Sequence, residues 1–476
     1  MSDTASVPAA PFIKNNVQKW LPWLVAMALF MEQLDATIVN TAVPSMAASL
    51  GVTPLSLKSV VASYILSLAV GIPVSGWIAD KYGTRKVFFV AVSIFTFASV
   101  LCGLAVNVPM LIAARLLQGL GAAMMMPVGR SAIVRAFPKS QLLTAMNFVI
   151  IPALIGPLLG PTVGGLIVHW VSWRYIFFIN VPIGLLALYF IRRYMPDYYG
   201  ESPRPLDVRG LILFGTGIAM LSWVLEVFGE HGMSGQSAVA WLAIATILLV
   251  GYAWHAQRVP NPLLRVALFK IRTFRISVVG GFVTRLGIGG LPFLLPLLYQ
   301  MGLGLPAWQS GLLMMPTAIA AMSMKLIAAR ILKRFGYRQV LIVNTVMIGL
   351  TIIAFSLIDT NVSHYVIIAL ALCQGFFNAL QFTSLNSIAY ADIAPQDASS
   401  ASTIASSFQQ ISMSFGLAIG SLLASWLLFN LPQSDTVAIT SALHKTFIIL
   451  GVVTVVSSVS FYQLNVEDGK ELAANA

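Results

Sequence analysis

Charge is what this sequence has least of. Asp, Glu, Lys and Arg make up 9% of its 476 residues, with 16 acids against 28 bases. A water-soluble globular domain carries far more. Cysteine is almost as scarce: Cys102 and Cys373 fall in apolar stretches with no metal-ligand spacing, so no metal site is expected. The chain has no phosphate-binding Gly-Lys-Ser/Thr loop, so it cannot itself be driven by ATP. His169 and Ser172 stand near each other without a third catalytic partner, which leaves an enzyme as the weakest reading. No cofactor is expected.

What the chain has in abundance is apolar length. Hydrophobic residues make up 58% of it. They gather in fourteen runs, the first at 21–43, the fifth at 143–168 and the last at 445–464. Only helices keep every backbone group bonded inside lipid, and these runs exceed the length of a barrel strand. The sequence therefore predicts an all-α polytopic membrane protein with 14 transmembrane helices. The arm before Leu21 shows no small-residue cleavage site, so the first helix reads as a retained anchor. Pro152 or Pro161 is expected to kink the long fifth run.

The net charge of +12 invites a nucleic-acid reading. Sorted by loop, almost every base lies on the side of the termini. Lys58, Arg174 and Lys445 fall on the opposite side, and Arg115, Arg285 and Lys325 lie inside helices. That asymmetry is the positive-inside rule: it places both termini in the cytoplasm and makes nucleic acid an improbable partner.

Two acids stand inside the first run. Glu32 and Asp35 are three residues apart and share a helix face. Each ionised carboxylate there costs ~2.5–3.5 kcal/mol on insertion scales, so such groups face a cavity or a partner. Arg115 is the expected partner, lying ~9 Å below the outer end of helix 4 while Asp35 lies ~12 Å below that of helix 1. A static ion pair joining the two helices is the alternative to a proton switch. In the second half Arg285 and Lys325 are cavity candidates, with snorkelling the competing fate for Lys325. Trp20, Trp23, Trp170, Trp173 and Trp308 read as interfacial belt residues.

An internal repeat organises the chain. The stretch Gly76-Trp77-Ile78-Ala79-Asp80-Lys81-Tyr82-Gly83-Thr84-Arg85-Lys86-Val87 after helix 2 is echoed by Ala329 to Val340 after helix 10, with Lys333 replacing Asp80. Gln118-Gly119 is echoed by Gln374-Gly375. Two six-helix halves in parallel register explain this, with helices 7 and 8 inserted between them. The expected divisions are a cytoplasmic arm 1–20, a first half 21–195, a linker and inserted pair 196–256, a loop 257–274, a second half 275–465 and a cytoplasmic tail 466–476. Asp80 is expected to face a neighbouring helix end or to pair with Arg85 and Lys86, forming a gating latch with Gly76 and Gly83. Gly156, Gly160 and Gly164 line one face of helix 5, and Pro157 and Pro161 permit a bend.

These stretches resemble the major facilitator superfamily. The Gly76–Lys86 loop is similar to its loop signature. Leu34-Asp35-Ala36-Thr37-Ile38-Val39-Asn40 with Pro44, Arg115 to Ala122, Gly156 to Gly165, and Phe178 to Gly184 resemble the fourteen-helix drug:proton antiporters of the EmrB/QacA type. Glu226, Gly229-Glu230 and Arg285-Leu286-Gly287 point within that family to the MdtD/HsrA branch. The resemblance implies the major facilitator fold in a bacterial inner membrane, and proton-coupled export of drugs or other small amphipathic solutes. It implies a proton-coupling or substrate site at Asp35, Arg115, Gln118 and Asn40, with an antiporter motif that includes Gly165. Glu32 departs from the pattern, so no role is carried over to it. Partners are then a small-molecule substrate, protons and the bilayer, for a monomer with room for a periplasmic adaptor. A facilitator or uptake symporter of a small metabolite, an exporter of siderophore-like or amino-acid-like solutes, and a substrate-binding sensor remain as alternatives.

Overall fold

The computed structural model describes residues 11–200, 205–229, 234–324, 326–394, 397–428 and 436–469. Among these, twelve helices are long and apolar enough to cross a membrane. In chain order the passes are α1 (Pro11–Leu50), α2 (Lys58–Tyr82), α3 (Thr84–Gly103), α4 (Val108–Ala136) and α5 (Lys139–Trp170). There follow α6 (Tyr175–Tyr194), α7 (Val208–Gly229), α8 (Gly235–Ala256), α9 (Arg272–Gly302) and α10 (Ala307–Met324). Last come α11 (Ala328–Ala354), α12 (His364–Ala389), α13 (Ala398–Leu428) and α14 (Thr436–Ser457). Counting α5 and α10, the helices number fourteen and fall on the expected runs. Three begin well before the expected run: α1 at Pro11 rather than 21, α11 at Ala328 rather than 339, and the last at Thr436 rather than 445. The first turns of the last carry Thr436, Thr440 and Ser441, whose polarity masks helix in a hydropathy reading.

Local chemistry sets several boundaries. Asn107 caps α4 by accepting from the Met110 N–H at 2.9 Å, with proline in the first turn. Gly83, at φ 90°, turns the chain between α2 and α3 without the cost a side chain would add. Despite its three internal prolines, α5 runs as one helix. Lys58, expected in a loop, instead begins α2 and is buried. Trp173, expected in the interfacial belt, is 2% exposed and belongs to the core. Trp170 does sit at the surface, stacked on Trp308 with centroids 6.5 Å apart.

Glycines of α5 set two of its close contacts. A Cβ on Gly156 would stand 2.8 Å from the Gln33 Cβ, and one on Gly164 would stand 2.7 Å from the Ile38 carbonyl oxygen. Gly160 abuts Thr37. All three faces point at α1, so the two helices approach at backbone distance. Gly165 turns the other way, against the backbone of Ala307 in α10, and Gly311 of α10 rests on Pro161. One helix thus carries the joint within the first half and the joint to the second.

The apolar cores have a consistent arrangement. One cluster joins the parts of both halves away from the termini, from Ile38, Val43 and Met46 to Phe293, Leu298, Ile348 and Phe447. Toward the side of the termini, the first half has a cluster of its own around Leu24, Phe88 and Ile133. The second half has another around Leu332, Tyr337 and Ile388. A further cluster joins Ala69 of α2 to Phe214 of α7, Phe274 of α9 and Ile404 of α13, so the halves meet both through the first cluster and along α2.

Candidate functional site

Asp35 lies at the centre of the first half and is fully buried. Its Oδ2 accepts from Arg115 Nη1 at 2.5 Å. Its Oδ1 accepts from Gln118 Nε2 at 2.9 Å and from Asn180 Nδ2 at 2.8 Å. Gln118 also accepts from Arg115 Nη1 at 2.6 Å and donates to the Ser99 hydroxyl at 2.8 Å. The Arg115 guanidinium lies over the Tyr64 ring, 4.2 Å from its centroid. Five helices, α1 to α4 and α6, therefore contribute to one polar knot.

The helical repeat explains the alignment. Arg115 and Gln118 are three apart on α4 and so project toward the same carboxylate. Stacking on Tyr64 and Phe177 lets the cation sit in an apolar region without a second acid. Removing an ion pair from water is expensive, and the added amides answer the remaining acceptor capacity of Asp35.

Glu32 shares the buried region, at 5% exposure, and its Oε2 has no hydrogen-bond partner. It lies within electrostatic range of Asp35 and Tyr64. The Tyr64 hydroxyl and the side-chain oxygen of Asn40 are likewise buried without a partner. A carboxylate and a phenol thus keep hydrogen-bonding capacity beside the ion pair, and the Asn40 amide keeps it further along α1. Groups left in this state are where a proton, water or polar solute can be received.

The other expected residues fall elsewhere. Arg285 stands midway along α9, half-buried, its guanidinium over Gly281 on the side of Leu385 in α12. Among the described residues it forms no ion pair. Lys325 and the side chain of Glu226 lie outside the described residues.

In the loop after α2, Asp80 takes the first of its two expected options. It pairs with Arg135, at the end of α4, at 2.7 Å. Arg85 instead meets Asp197 of the segment after α6, at 3.8 Å, and its backbone N–H donates to the same carboxylate at 3.1 Å. Lys86 lines a small cleft beside them. That segment folds back over the loop, with Gly200 N–H donating to the Asp80 carbonyl at 2.9 Å. Gly76 has open space around it, so packing does not explain a glycine there.

Sequence reasoning did not assign Asn180, Tyr64 or Ser99 to the site. Asn180 was visible as a lone amide in an apolar run before Pro182. Tyr64 and Ser99 carry no such signal, since single hydroxyls are common in membrane helices.

Comparisons with known proteins bear on the family and the fold. Residues 25–417 match the family model of the Major Facilitator Superfamily. The chain is similar to a putative multidrug resistance protein MdtD of Serratia proteamaculans, with 39% identity over 445 residues and 93% of each chain covered. A relative of the same name from Escherichia coli is 40% identical, with 85% of this chain and 86% of the relative covered. Among solved structures, an auto-inhibited peptide transporter of the POT family superposes with a TM-score of 0.70 at 16% identity, covering 96% of this chain and 97% of that one. A bacterial homologue of the lysosomal transporter Spinster, solved inward-facing and unoccupied, gives 0.67 at 13% identity and 98% coverage of both chains. At such identities these structures speak for the fold alone.

Proposed function

The chain belongs to the major facilitator superfamily, and from that premise we propose that it is a proton-coupled antiporter exporting small amphipathic solutes from the cytoplasm. The observation that carries this reading is the Asp35 knot: one titratable carboxylate at mid-membrane, held by a cation that can compete with a proton for it. Relatives bearing the name multidrug resistance protein support efflux of varied compounds.

The cycle follows from the packing. With the halves joined over the broad cluster away from the termini, solute enters from the side of the termini, which this reading places in the cytoplasm. Its binding displaces a proton from Asp35, and the carboxylate closes onto Arg115. Outward opening releases the solute and exposes Asp35 to the external proton supply. Protonation frees Arg115 from its partner and lets the empty carrier return. Glu32 relays the proton inward or receives a cationic group of the solute. Asp80 and Arg135 hold the inner loop in one gate state and part in the other.

Proteoliposomes under an imposed pH gradient test the assignment. Asp35→Asn keeps the shape of the side chain and removes its titration, so coupled export should fall at least about a hundredfold while gradient-independent exchange persists. Full pH-dependent export by that variant would move the coupling role to Glu32.

A further inference from the structure

The repeated loop is finished differently in the two halves. Each copy turns on a glycine of positive φ, Gly83 at 90° and Gly336 at 73°. In the first half the segment after α6 covers the turn. Its Asp197 carboxylate accepts from the Arg85 N–H, and the Tyr198 carbonyl accepts from the Thr84 N–H at 3.0 Å. An acid of the chain therefore sits beside the basic residue at the start of α3. In the second half Lys333 replaces Asp80, and Arg338 stands where the first half has Arg85.

The segment after the last helix reaches the corresponding place, with Gly469 against Tyr337. Its acid is committed elsewhere. Asp468 Oδ1 accepts from Arg272 at 2.6 Å, and Oδ2 accepts from the Asn465 N–H at 2.7 Å. Beside it lies a cleft of about 700 Å³ whose basic lining is Lys333, Arg334 and Arg338. The Arg338 Nε is buried and has no hydrogen-bond partner. At the rim, Phe335, Val343, Tyr462 and Val466 are exposed apolar or aromatic side chains.

We propose that this cleft binds the phosphate headgroup of an anionic phospholipid, which stands where Asp197 stands in the first half. Guanidinium groups bind phosphate oxygens in paired hydrogen bonds, and basic groups beside a membrane collect anionic lipids. A lipid also accounts for the rim: acyl chains suit Val343 and Val466, whereas a free anion gives them nothing to cover. The site is separate from the transport knot, and its lipid is bound irrespective of which solute the protein carries.

Native mass spectrometry of the full chain, titrated with phosphatidylglycerol or phosphatidylcholine, reads the proposal without any transport assay. The unaltered chain should prefer phosphatidylglycerol by at least about tenfold, each basic group contributing about fivefold. Lys333→Gln/Arg334→Gln/Arg338→Gln should abolish the preference, and Lys333→Gln/Arg334→Gln, which changes only exposed residues, should reduce it without a folding defect. Lys445→Gln, within α14 beside the end of α11 near Ile358, should retain it. Equal retention of both lipids, or a preference that survives both multiple variants, overturns the proposal. Displacement of the lipid by equimolar inorganic phosphate overturns it in favour of a free-anion site. A preference that emerges only after deletion of residues 470–476 assigns the cleft to the chain's own tail and overturns it as well.

Discussion

The two halves share a fold and a repeated dipeptide, yet their interiors are built from different chemistry. In the first, Gln118 serves an ion pair between Asp35 and Arg115. In the second, the equivalent Gln374 donates to Asn378 at 3.3 Å. One turn beyond, Asn344 donates to Gln381 at 2.9 Å, and Gln381 donates to Thr345 at 2.8 Å. The second-half helices are tied by neutral amides and hydroxyls. A helix junction of this kind needs no ions, and buried ion pairs seldom stabilise more than apolar or neutral replacements. The proposed coupling gives the charges of the first half a role that a structural junction does not require.

The largest effect should come from breaking the pair on one side. Arg115→Ala leaves Asp35 buried without its cation and should cost about 3–5 kcal/mol, read from thermal or denaturant melts in detergent. Converting the first half to the chemistry of the second sharpens the contrast. Asp35→Asn/Arg115→Gln should recover most of that stability and still fail in coupled export. If the double variant were as unstable as Arg115→Ala, the ion pair would be a structural element after all.

The complementary change, Gln381→Ala, removes a neutral bridge and should cost about 1 kcal/mol while leaving the pH profile of transport unmoved. A shifted profile would place coupling in the second half. Smaller in stability is Asp80→Asn, since an exposed pair with Arg135 contributes only about 0–1 kcal/mol. Transport at equal membrane abundance should nevertheless slow severalfold. An unchanged rate reduces the loop to a topology signal.

The inserted pair belongs to neither half and gives the smallest effect. Burial alone would push the Asp207 carboxyl up, but His255 and the N–H groups of Gly210 and Leu263 hold it below its ordinary value. A lowered carboxyl adds stability above the unfolded-state value, about pH 4, and that contribution vanishes as pH falls through the folded value. Melts followed downward from pH 5 should show a slope that Asp207→Asn flattens.

Much of this was legible in residues. Fourteen helices follow from apolar runs, because lipid leaves the backbone no alternative. The depth match between Asp35 and Arg115 predicted their contact from rise per residue alone. The same arithmetic was blind to Asn180, because nothing in a single sequence says which face of α6 meets α1. It misplaced Trp173 for a related reason: an aromatic at a helix end suits the interface and the core equally. Asp80 found Arg135 rather than Arg85 because the segment around Asp197 folds back to claim the latter, a contact between residues 112 positions apart. Local patterns carry elements and depths; partners across the bundle depend on rotation.

In the proposed cycle, the apolar seal between the ends of the halves away from the termini also governs how the carrier responds to cold. Parting Ile38, Met46 and their neighbours from Phe293 and Leu298 brings oily surface into contact with water. That step carries a positive heat-capacity change, so its free-energy cost varies with temperature along a curve rather than a line. Hydrophobic attraction fades on cooling. The outward-open form accordingly gains weight in chilled membranes, and the turnover of the carrier bends on an Arrhenius plot. A gate closed on its outer side by ion pairs alone would trace a straighter one.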